Sequence, residues 1–431
     1  MGKHGAYLAI FGLPLGLVIA GVQAWFWPVP GVEIDRIYGG QVCIGCICLL
    51  SGLHLTTEDV KKANKRPRPY VWGLISILLV SPLAAIELLN LVPLDNDATP
   101  TPATPTPGTT VDWQPARNTS NANSSCSYVK STKGQLGPQE FVYGLQIFGA
   151  GPCATSAAFV FTMLLDGDLT MAGMVTAVPT VAAFWYYPAL LNWRSNIGLE
   201  ARFTGASWGF LITEQILIVV VPFLFGFILG SNLPACTEFS TFIRKHRAAF
   251  QNAFNTFLVL LAWMVVSKIS EEKVYSCVDT SALLYLIGMA VLLHLLFLIM
   301  NSLAARMVCL KKEDALAVVF MCGLKILPTS LVLISLLDTD RGARDLMSLA
   351  CRFAYLVQLM LSALLSLLLL KCGRGSAMLE DSTAPQSASE EDMPDNDTFT
   401  LRLIMHLAQA MAENDADEEQ AEGETSAGLL Y

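Results

Sequence analysis

The chain has 431 residues, of which 53% are hydrophobic and 15% charged, with a formal net charge of -9. Soluble chains usually carry about a quarter charged residues, so this composition argues against a soluble globular protein. The acidic balance leaves no basic surface for nucleic acid.

Much of the acid sits in the tail, at Glu390, Glu391, Asp392, Asp395 and Asp397 and again at Glu413, Asp415, Asp417, Glu418 and Glu419. The rest of the chain repeats apolar stretches of roughly 18 to 25 residues, enough for a helix to cross a hydrocarbon core of about 30 Å. In lipid the backbone must satisfy its own polar groups, so such runs read as helices. The expected spans are 6–27, 38–55, 70–92, 141–164, 169–191, 207–230, 250–268, 280–304, 314–337 and 345–370. The first has the basic start and apolar run of a signal peptide. It is kept as a span because an even count fits the charges.

In chain order, the loop after the second span carries Lys61, Lys62, Lys65, Arg66 and Arg68. The loop after the sixth carries Arg244, Lys245 and Arg247, the loop after the eighth Arg306, Lys311 and Lys312, and Lys371 and Arg374 follow the tenth. All fall on one face, which the positive-inside rule makes cytoplasmic, with both termini. The expected protein is an all-α multi-pass integral membrane protein. Its parts are three spans in 1–93, a linker at 94–140, the fourth and fifth spans in 141–200, five more in 201–372, and a tail at 373–431.

The linker contains DATPTPATPTPGTT, a Thr/Pro-rich run that cannot pack and is expected to be extended on the non-cytoplasmic side. Two sequons, at Asn118 and Asn123, lie on that side and are candidate glycosylation sites. Of the eleven cysteines, Cys43, Cys46 and Cys48 form a C-x-x-C inside an apolar run and read as packing residues, with metal or redox chemistry the alternative. Cys126 and Cys277 both fall in non-cytoplasmic loops, where a disulfide is chemically permitted. In the tail, Phe399, Leu403, Ile404, Leu407, Ala410 and Met411 share one helical face. That segment suits docking on membrane lipid, on the protein itself or on a regulatory partner.

Ten spans divide into two sets of five, and an odd number inverts one half relative to the other. The fourth span of each half is interrupted: GAGPCATS at 149–156 and GLKILPTS at 323–330. Proline removes a backbone donor, so each break frees backbone groups near mid-membrane. Matched breaks in corresponding spans point to a binding site. Candidate residues there are Gly151, Pro152, Thr155, Ser156, Thr176, Pro328, Thr329 and Ser330. Hydroxyl and carbonyl oxygens could hold a hard cation, although each hydroxyl could equally bond back to its own helix. Lys325 lies about eleven residues into the ninth span, hence about 17 Å deep. Its stem of about 6 Å is too short to snorkel to the surface. An ammonium there needs a cavity or a partner, and Glu214 in the sixth span is at a compatible depth. Such a site could bind an anion, Lys325 could take the place of a coupling cation, or the two could be a fixed structural ion pair. Glu87 is near the outer end of its span, and His294 reads as a packing residue.

Several segments carry a resemblance. LLSGLHLTTEDV at 49–60, LQIFGAGPCATSAAFVFT at 145–162, ILIVVVPFLFGFILG at 216–230 and DALAVVFMCGLK at 314–325 resemble, in order and spacing, the SBF-like branch of the bile acid:sodium symporter superfamily. The resemblance covers roughly 6–370, with 94–140 as an insertion. It implies a panel of the first, second, sixth and seventh spans, a core of the rest, and two broken helices crossing at a site moved between faces by rocking. It further implies a secondary transporter of an ion or small organic anion, not an enzyme, linked to cellular calcium homeostasis and placed in a plasma or secretory-pathway (Golgi or ER) membrane. The alternative is a non-transporting regulator of calcium entry on the same fold. Three places depart from the branch: Asp166-Gly167-Asp168-Leu169 after the fourth span, Val175-Thr176 where an asparagine is expected, and Pro328 beside Lys325. These changes remove possible sodium ligands and count against sodium coupling; no cofactor is expected.

Overall fold

Apolar runs that must pair their own backbone become helices, and all regular structure among the described residues is helical. The computed structural model describes residues 3–92, 138–165, 167–194, 209, 213, 216–231, 242, 245–337, 339 and 341–383. In chain order the helices are α1 (Lys3–Phe26), α2 (Val29–Arg36), α3 (Gly39–Leu53), α4 (Thr57–Asn64) and α5 (Pro67–Asn90). They continue with α6 (Gln139–Ala150), α7 (Thr155–Leu164), α8 (Leu169–Arg194), α9 (Ile216–Gly230) and α10 (Arg247–Glu272). The last four are α11 (Thr280–Met307), α12 (Lys312–Gly323), α13 (Leu327–Ser335) and α14 (Arg341–Thr383). The linker sequons Asn118 and Asn123, Cys126, Glu214 and the tail segment 399–411 lie outside the described residues.

Among the described residues, α5, Ala249–Glu272 of α10, α11 and Arg341–Leu370 of α14 are each long and apolar enough to cross a membrane unbroken. Gly12–Phe26 together with Val29–Arg36 forms a further apolar pair, bent by 99°. The bend follows from Pro28 and Pro30 at the start of α2: proline fixes its own φ for a first helical turn and cannot continue the preceding helix. The sequence pattern suggested only a connection there. Where single runs were expected at 141–164 and 314–337, the chain forms two helices each, α6 then α7 and α12 then α13.

The helices pack in two groups. In the first, α3 lies along α9, α1 along α10, and α2 and α3 against α10. In the second, α6 packs on α14 and α5, α12 on α11, α8 and α7, and α13 and α11 on α14. Contacts between the groups are thinner and run through α1 with α14, α3 with α7, and α10 with α7 and α14. Between apolar helices in lipid, close approach needs small residues. Gly52 and Gly226 supply it where α3 meets α9: a Cβ on Gly226 would stand 2.1 Å from the Leu49 carbonyl oxygen, and one on Gly52 2.1 Å from that of Phe223.

One end of the second group is tied by charge. Arg66 donates to Asp314 at the start of α12 and to Asp168 ahead of α8, both at 2.7 Å. Asp168 also accepts the backbone N–H groups of Thr170 and Met171, capping α8. Partial burial would lower the Arg66 pKa, but the Asp168 hydrogen bond and both carboxylate charges more than offset it and raise it. Arg66 therefore stays charged and joins three chain segments.

Gly226→Ala should lower the thermal midpoint of the purified protein, by the equivalent of about 1–3 kcal/mol of overpacking. Gly12→Ala, which meets nothing within 4 Å, should leave it unchanged or raise it. Equal behaviour of the two variants would remove the tight α3–α9 contact as an explanation.

Candidate functional site

The two broken helices meet at their breaks. α6 ends at Ala150, and Gly151 and Pro152 continue as buried extended chain into α7. α12 ends at Gly323, and Leu324 to Ile326 are extended before Pro328 enters the first turn of α13. Cys153 and Lys325 face each other as an antiparallel bridge. The N–H of Ala154 donates to the Leu324 carbonyl at 2.8 Å, and that of Ile326 to the Pro152 carbonyl at 3.1 Å. Both breaks thus satisfy part of their freed backbone on each other.

The remaining backbone of Lys325 is completed by Gln358 of α14, which is 2% exposed. Gln358 Oε1 accepts from the Lys325 N–H at 2.9 Å, and Gln358 Nε2 donates to the Lys325 carbonyl at 2.6 Å. In the other half, the Tyr187 hydroxyl of α8 donates to the carbonyl of Ile147 near the end of α6. Each broken pair therefore leans on the helix that follows it. Neither Gln358 nor Tyr187 was marked by the sequence pattern. The available signal for Gln358 was an uncharged amide isolated in an otherwise apolar run.

Lys325 is 0% exposed. Its Nζ lies 5.0 Å from the centre of the Phe297 ring and has no hydrogen-bond partner among the described residues. A cation over a ring face is attracted electrostatically. Glu214, the expected partner, is not among the described residues.

A cavity of about 200 Å³ opens between the two helix groups. Ala154, Ser156, Ile326, Leu327 and Pro328 form its crossing end. Ile44, Ile218, Val219, Leu261, Met264 and Val265 line it from the first group, and Leu331, Val332, Arg352 and Tyr355 from the second. Asp35, Gly40, Gln41 and Lys268 complete it at the opposite end. Lys268 pairs with Asp35 at 3.1 Å, and Arg352 with Glu272 at the end of α10.

The structure gathers Gly151, Pro152, Ser156, Pro328, Thr329 and Ser330 around the crossing, with Ser156 and Pro328 on the cavity. Ser330 donates back to the Ile326 carbonyl at 3.3 Å, while the buried Thr329 hydroxyl has no partner among the described residues. Thr155 begins α7 and Thr176 lies within α8, but their side chains are outside those described. Lys325 contributes backbone to the crossing; its side chain is not among the cavity-lining groups. His294 is buried with Nε2 3.0 Å from the Ser362 hydroxyl, and Glu87 is paired with Arg194. No cluster of three or more His, Cys, Asp or Glu suited to a metal ion occurs among the described residues.

Comparison with known proteins follows this geometry. The model of the SBF-like CPA transporter family matches residues 12–371. A protein of Arabidopsis thaliana named probable sodium/metabolite cotransporter BASS4, chloroplastic, is 25% identical over 373 residues, covering 85% of this chain and 74% of its own. The protein of the same name from Oryza sativa subsp. indica is 22% identical over 365 residues, covering 82% and 74%.

Removing Gln358 leaves a buried donor and acceptor unpaired. Gln358→Leu should therefore destabilise the protein by about 2 kcal/mol or more, read as a lowered thermal midpoint. An unchanged midpoint in Gln358→Leu would show that the amide does not support the crossing.

Proposed function

The chain belongs to the SBF-like CPA transporter family and is a membrane-embedded secondary transporter, and on that premise we propose that it moves a small ion or organic anion by alternating access at the crossing of its broken helices. The observation that carries this reading is the Cys153–Lys325 bridge at one end of a cavity between two helix groups. Unwound backbone at the meeting of two half-helices is where such transporters hold their cargo. A cavity of about 200 Å³ is smaller than the roughly 300–1,000 Å³ that encloses drug-sized ligands, which favours a small solute.

In this reading ten spans form two inverted five-helix repeats, with α6–α7 and α12–α13 as the equivalent broken spans. The first helix group is the panel, the second the core, and the thin seam between them is where rocking occurs. The N- and C-termini are cytoplasmic by the positive-inside rule, so the Asp35 end of the cavity faces the other side. Lys325 supplies a fixed positive charge beside the crossing, in the place a bound cation would otherwise take. The relatives' names speak of sodium and a metabolite. Here the oxygens available to a sodium ion are Ser156, Thr329 and the carbonyls of the breaks, with Thr155, Thr176, Ser330 and Glu214 as the further candidates.

Proteoliposomes holding the full chain should take up a labelled small anion under a sodium or proton gradient. Lys325→Met keeps the volume of the side chain and should cut that uptake at least tenfold. Uptake equal to wild type would remove Lys325 from the site. Absence of flux under every cation gradient would overturn the transport mechanism proposed for the crossing.

A further inference from the structure

We propose that Arg352 is the residue that recognises the cargo, and that the cargo is a small monoanion whose carboxylate or oxyanion group replaces Glu272 on its guanidinium. The inference rests on the cavity being the transport site and adds the charge of what enters it.

The cavity lining carries three charged side chains: Asp35, Lys268 and Arg352. Asp35 and Lys268 neutralise each other at 3.1 Å. Arg352 is left over as one unbalanced positive charge within the lining. Its side chain is 7% exposed, and a guanidinium buried to that degree needs an anion. The anion hydrogen-bonded to it is Glu272, which is outside the lining and 32% exposed, and Asp345 adds a second negative charge nearby. The two terminal guanidinium nitrogens each donate to one carboxylate oxygen, the fork geometry that any carboxylate or similar oxyanion can reproduce.

Glu272 is a replaceable partner. It ends α10, where the partial negative charge of the helix terminus disfavours a carboxylate, and its exposure leaves water ready to solvate it when released. An incoming anion would sit on the cavity side of Arg352, with Tyr355 one turn further along α14. Apolar walls at Ile218 and Leu331 would receive a short carbon chain.

The exchange has a mechanical result. Arg352 belongs to the second helix group and Glu272 to the first, so their ion pair ties the two together across the seam. A monoanion that takes Arg352 unties them at the moment it binds. Recognition and release of the rocking motion are then one event.

The test is binding, measured on the purified full chain as a thermal shift in sodium acetate, lactate and butyrate against sodium chloride at equal ionic strength. Acetamide, lactamide and butyramide are the uncharged controls. A specific ligand raises the midpoint saturably. At least one carboxylate should do so, and its amide should not. Glu272→Gln should lower the apparent Kd at least fivefold by removing the competitor, and Arg352→Lys should raise it about tenfold. The double variant Arg352→Gln/Glu272→Gln, which folds without an unpaired charge, should lose the shift. The proposal is overturned if no carboxylate stabilises the wild type, if the amides do so equally, or if the double variant binds like wild type. Binding without flux would leave recognition standing and overturn alternating access. Flux that survives in the double variant would leave alternating access standing and overturn recognition by Arg352.

Discussion

Everything at the centre of this protein follows from one constraint: chain that leaves the helical ladder away from water must find other partners for its N–H and C=O groups. Two breaks facing each other solve much of the problem together. Ala154 and Ile326 donate across the crossing, and Gln358 supplies from a side chain what a third strand would have supplied from its backbone. The cost is that the crossing cannot be altered on one side alone. The gain is a short stretch of polar backbone held beside a cavity.

The same constraint explains why the two helix groups differ. The first is held by close backbone approach, as at Gly52 and Gly226, and needs few polar contacts. The second contains the crossing and is threaded by buried and half-buried polar pairs: Gln146 with Asn90, Ser76 with Asn301, His294 with Ser362, and Arg66 with Asp168 and Asp314. Polar pairs in a low-dielectric interior fix geometry strongly because leaving them unmade is costly. A rigid polar body beside a smoothly packed apolar one suits relative sliding at the seam between them.

Much of this was legible in the sequence, for identifiable reasons. Proline and glycine announce broken helices locally, so GAGPCATS and GLKILPTS marked both breaks, their matched positions pointed to a binding site, and the family resemblance implied the crossing. The family resemblance drawn from 49–60, 145–162, 216–230 and 314–325 agrees with the family match over 12–371. The direction of Lys325 was not legible, because a residue in extended chain can face either side and only packing decides. Gln358 escaped because a lone amide in an apolar run has no local partner; its partner is 33 residues away in sequence. The cavity escaped for the same reason. It is made where α3, α9 and α10 of one group face α13 and α14 of the other, and no periodicity within one helix records that meeting.

α14 carries the last consequence. Arg352, at the cavity, and Gln358, at the crossing, stand on one uninterrupted helix, six residues and hence about 9 Å apart along the axis. A helix is stiff over that length, so the two residues move as points on one rod. Any tilt that shifts the guanidinium also drags the amide that holds the crossing closed.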